Sequence, residues 1–80
     1  MIVRLHLKDG SVKFVDDALS VHVVEEDKSV LRIEYVDNFV RTFGATDNSI
    51  DHVSIGEHDV FVPYGNEWKH SKSTSKQLNG

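Results

Sequence analysis

Five histidines in eighty residues, His6, His22, His52, His58 and His70, are the first chemistry this chain offers. Imidazoles bind metal when two or more converge with a carboxylate or a third ring. Sequence neighbours on a strand point to opposite faces, so Asp51-His52 and His58-Asp59 are not expected to chelate a metal together. His6 and His22 both read as outward-facing and would meet only if their strands paired in register. No metal or other cofactor is expected, and five groups titrating near neutrality point rather to a pH-responsive surface. Asp16-Asp17 and Glu25-Glu26-Asp27 lie in polar stretches, whereas acid–base catalysis needs a carboxyl in a water-poor cleft. Ser54 has no Gly-x-Ser-x-Gly elbow around it, and Gly44-Ala45-Thr46 is a single glycine rather than a phosphate-cradling loop. The chain has no cysteine, which removes disulfides, thiolate metal sites and thiol catalysis. The expectation is a protein that is not an enzyme.

Aromatic side chains interleaved with cations are the other candidate. Phe39, Arg41 and Phe43 share one side of an alternating stretch, with Arg41 an anomaly on an aromatic face. Either it sits at a sheet edge with its stem over Phe39 and its head in water, or Val40 and Thr42 form the core face. Tyr64 and Trp68 extend the set near the end of the body. Small β-barrels use such textures to stack bases and neutralise phosphates. The charge layout argues against that use, because six Lys and Arg against thirteen Asp and Glu leave Met1–Trp68 at −7. Lys69, Lys72 and Lys76 leave Lys69–Gly80 at +3. An acidic body repels polyphosphate at long range, and it suits a protein partner with a basic groove. Aromatics and Arg supply most of the binding energy at protein interfaces, so Phe39, Arg41, Phe43, Tyr64 and Trp68 are the expected partner contacts.

The elements that must position these residues are strands, because the dominant period is two. Val3, Leu5 and Leu7 alternate with Arg4, His6 and Lys8 before Asp9-Gly10, a strong hairpin signal. A two-residue turn there sets Leu7 against Val12 and Leu5 against Phe14 on the core face, with His6 opposite Lys13. After a short break or helical turn at Asp16-Asp17-Ala18, Leu19, Val21 and Val23 form one face of the next strand. Leu31, Ile33 and Tyr35 point inward along Val30–Val36, and Asp37-Asn38 suits a tight turn. Residues 44–49 are a loop. Ile50–Ile55 and Val60–Val62 follow, the latter ended by Pro63, which cannot continue a central ladder. Residues 1–68 read as one all-β domain, a small antiparallel barrel or sandwich of six or seven strands. Residues 69–80 read as a flexible, disordered basic tail. No apolar run reaches a membrane span and Met1–Arg4 is unlike a signal peptide, so a cytoplasmic protein is expected.

The opening Met-Ile-Val-Arg-Leu-His-Leu-Lys-Asp-Gly-Ser and the alternating strands behind it resemble small β-proteins of phages and mobile elements of Gram-positive bacteria. The likeness covers about the first fifty residues and rests on the hairpin pattern. It implies an intracellular inhibitor or adaptor acting on a host protein and carries over no site residues. SH3-like and Sm-like barrels share the hairpin texture and size, without the Gly and Asn positions of an Sm RNA pocket. The function expected is a non-enzymatic protein-binding module. An oligomer with a small-ligand pocket between subunits is the alternative, and a nucleic-acid-binding small barrel comes third.

Overall fold

The computed structural model describes residues 1–47 and 49–72. Among the described residues eight strands, rather than six or seven, form two antiparallel sheets around one core, and the sheets are not closed into a barrel. The strands are β1 (Val3–Leu7), β2 (Val12–Val15), β3 (Ala18–Val23), β4 (Val30–Tyr35), β5 (Val40–Gly44), β6 (Ile50–Ile55), β7 (Asp59–Tyr64) and β8 (Glu67–Lys72). The larger sheet runs β2-β1-β6-β7-β8 and the smaller β3-β4-β5. Among the described residues no helix is long and apolar enough to cross a membrane.

The core draws on both sheets. Val3, Leu5, Val53 and Phe61 of the larger meet Leu31, Ile33 and Phe43 of the smaller, all buried. The alternation of β4 holds as expected, with Leu31, Ile33 and Tyr35 inward. Asp37 and Asn38 take positive φ in a tight turn after it. Trp68 ties the sheets together. Its indole Nε1–H donates to the Phe43 carbonyl at 3.0 Å, and its backbone N–H donates to the Lys28 carbonyl at 2.8 Å.

The first hairpin forms where expected but one residue out of register. Leu5 faces Lys13 and Arg4 faces Phe14, because the loop holds three residues, Lys8-Asp9-Gly10, rather than two. The Gly10 N–H donates to the Leu7 carbonyl, and Gly10 takes a φ of 92°, the glycine-closed turn of three-residue hairpins. Both loop lengths want glycine here, but a slip of one residue flips the whole strand. Val12 and Phe14 therefore lie on the outer face, and Phe14 is 66% exposed. Asp9 accepts the N–H and hydroxyl of Ser11, and Asp27-Ser29 and Asp47-Ser49 repeat the same closure. The serine hydroxyl, then the serine N–H, holds Asp9 and Asp27 below the usual carboxylate range. For Asp47 the N–H leads.

Two bulges also move side chains. Ala18 pairs with Tyr35 and Ser20 with Glu34, so Leu19 is the extra residue and turns outward rather than into the core. No helical turn precedes it; Asp17 is a bend and β3 starts at Ala18. On β6, His52 pairs with His6 but Ile50 with Leu7, which leaves Asp51 as the extra residue. Pro63 does not end its strand. Its β6 ladder stops at Phe61, yet β7 stays paired with β8 through Tyr64. Lys69–Lys72, expected in the tail, belong to β8 and extend the body beyond Trp68. The remainder of that expected tail, residues 73–80, lies outside the described residues.

Candidate binding face

The pairing of β1 with β6 places His6 opposite His52 across neighbouring strands. Their rings stack with centroids 3.9 Å apart and planes 13° from parallel. Each ring is also held at one nitrogen: His6 Nε2 lies 3.0 Å from Ser54 Oγ, and His52 Nδ1–H donates to Asp51 Oδ2 at 2.7 Å. The bulge makes that second contact possible. An extra residue breaks strict alternation, so the side chains of neighbours 51 and 52 meet in a hydrogen bond. His22 lies on the other sheet and does not meet His6. Asp59 pairs not with His58 but with His70, whose Nε2 is 3.0 Å from Asp59 Oδ1 and whose ring stacks on Phe61.

Burial, then the His52 and Arg4 charges, holds the His6 imidazole below the usual histidine range, with Asp51 pulling the other way. A Ser–His contact invites comparison with a nucleophilic dyad. Here the carboxylate orients His52 whereas the serine contacts His6, so the relay is broken between the two rings. Among the described residues no group of three or more metal-binding side chains converges.

Around this pair the outer face of the larger sheet is apolar and lightly charged. Val12 and Phe14 lie to one side, with the Arg4 guanidinium 5.6 Å from the Phe14 ring centroid. On the other side are Val60, Val62 and Tyr64, the last 72% exposed. Lys69 and Glu67 approach to 3.9 Å at the far edge. Between β6 and β7, where their ladder stops, a groove of about 750 Å³ opens, lined by Lys8, Asp47, Asp51, His52, Val62 and Pro63 among others.

The expected contact residues divide. Phe43 and Trp68 are core, 8% and 3% exposed, and present no aromatic surface to a partner. Phe39 is 60% exposed before β5, its ring edge-on to Tyr35. Arg41 sits on an edge strand opposite buried Ile33, its guanidinium 5.1 Å from the Phe43 ring centroid. This is the edge placement anticipated for it, with Phe43 rather than Phe39 beneath. Lys13 has the matching position on β2, opposite buried Leu5. A cation turned inward on an edge strand obstructs pairing with another chain, and the β3 edge carries the Leu19 bulge. The β2, β3 and β5 edges are therefore poor templates for strand addition. The stacked histidines, Phe14 and the groove escaped the sequence reading; the repeated Asp-x-Ser spacing was a visible signal for the loops, and the histidine pair had none.

Compared with known proteins, the chain matches no family model, no curated protein and no solved structure.

Proposed function

We propose that the protein is a non-enzymatic binding module that engages another protein through the outer face of its larger sheet. The observation that carries this is one continuous sheet face bearing exposed Val12, Phe14, Val62 and Tyr64 beside Arg4 and an open groove. Such a mixture of aromatic, aliphatic and arginine side chains is the composition of interface centres. Of the acids on this face, Glu67 lies beside Lys69 and Asp51 beside His52, and Arg4 adds a positive charge. An intracellular adaptor or inhibitor, as the resemblance of the opening hairpin implies, is the biological form of this reading. The exposed residues of the smaller sheet, Phe39 and Arg41, are the competing contact.

Affinity capture from a Gram-positive lysate, with wild type, Phe14→Ala, Tyr64→Ala and a Phe39→Ala/Arg41→Ala variant as baits, tests this. All four should show the same circular dichroism and melting. The partner held by wild type should be retained by the Phe39/Arg41 variant and weakened about tenfold by Phe14→Ala or Tyr64→Ala. Equal retention by all four baits, or loss only with the Phe39/Arg41 variant, would overturn it.

A further inference from the structure

We propose that the stacked His6–His52 pair is a proton-operated switch, admitting one proton as a stack and a second only by parting its rings. Two neutral rings, or one neutral and one charged, stack without penalty at 3.9 Å; two imidazolium rings at that distance repel. The surroundings sharpen this. From β1, Arg4 adds positive charge on the same face, and from β6 Asp51 supplies one carboxylate, bound to His52 alone. β2 places uncharged Val12 opposite His6, and β7 brings uncharged Val60 and Val62 to the groove beside His52. Lys8 and Asp47, of opposite charge, also line the groove, and Lys8 acts on the Asp47 carboxylate. Asp51 offsets one imidazolium, and Asp47, already facing Lys8, leaves the other without an offsetting acid of its own.

The switch has somewhere to act. His52 lines the groove and His6 does not, so parting the rings moves one wall of the groove. Ser54 and Asp51 hold the stacked arrangement from either end, at His6 Nε2 and His52 Nδ1. The inference concerns the pair itself and does not depend on what the face binds.

Proton NMR of the imidazole Cε1–H signals between pH 4 and 8 tests it on the intact chain, with His22 as internal reference on the other sheet. Stacked rings shield each other's protons. The His6 and His52 signals should each carry two inflections, and their mutual shielding should vanish at the lower one. In His52→Phe, which keeps a ring but removes the charge, His6 should show a single inflection, at higher pH than the lower of the two in wild type. In Asp51→Asn, which removes the one offsetting carboxylate, the upper inflection should move to lower pH. Independent single inflections in wild type, shielding that persists to pH 4, or an unmoved His6 in His52→Phe would each overturn the switch.

Discussion

On the outer face of the smaller sheet the polar groups close on one another. The Ser20 hydroxyl donates to Glu34 Oε1 at 3.2 Å, and Arg32 Nε–H donates to Glu34 Oε2 at 3.1 Å. On the outer face of the larger sheet the contacts are ring on ring and cation on ring, and exposed apolar side chains surround them. Both faces come from the same two-residue alternation. What separates them is register: β3, β4 and β5 keep most of their large apolar residues inside, with the bulged Leu19 and Val40 outside, while β2 is turned over and delivers Val12 and Phe14 to the outside. One face pairs its polar groups with one another, and the other surrounds its ring contacts with apolar groups in water.

The comparison breaks most completely at Trp68, which holds the two faces back to back. Trp68→Ala should cost about 3–5 kcal/mol, read from chemical denaturation, since it removes a buried aromatic together with its indole hydrogen bond to the smaller sheet. A loss below 1 kcal/mol would mean that the sheets are joined by other means. Next come the edges, one on each sheet. Replacing Lys13 and Arg41 together with valine should turn both into flat apolar templates, and sedimentation should show self-association well above that of wild type. If the double variant sediments like wild type, the inward cations do not guard the edges.

A pH series separates the faces more gently. His6 is held low in the folded chain, so folding disfavours its proton. Stability should therefore decline as pH falls below the unfolded value of about 6.5. Asp9, Asp27 and Asp47 are also held low, which makes their contribution present above about 3.9 and lost in acid. His6→Gln should flatten the near-neutral decline and leave the acid one. The smallest effect belongs to the smaller sheet: Glu34→Gln should cost no more than about 1 kcal/mol, because its partner Arg32 is itself 42% exposed. A larger loss would show that this face is more than a solvated surface.

Much of the architecture was legible. The β4 alternation, the Asp37-Asn38 turn and the bounds of β6 follow from side-chain period and turn chemistry, which are local properties. The failures share a cause. Asp9-Gly10 announces a turn but not whether it spans two residues or three, and that single count decides the side on which Phe14 lies. The bulges at Leu19 and Asp51 have no local signature, since an extra residue is defined only against its partner strand. The candidate face depends on both kinds of information. His6 meets His52 only because β1 pairs with β6, and Asp51 reaches His52 only because β6 is bulged. Of the contacts expected from residue type, Phe43 and Trp68 were core because aromatics serve interiors and interfaces alike.

The two hydrogen bonds that Trp68 sends across to Lys28 and Phe43 bear on how the chain acquires its structure. The three strands of the smaller sheet are consecutive and can pair by local hairpins, but their inner face is latched from the far end of the sequence. As the chain leaves a ribosome, that meander is complete in sequence long before its latch exists. It must wait with its inner face unlatched until β8 arrives, and closure should come late, as a slow long-range step.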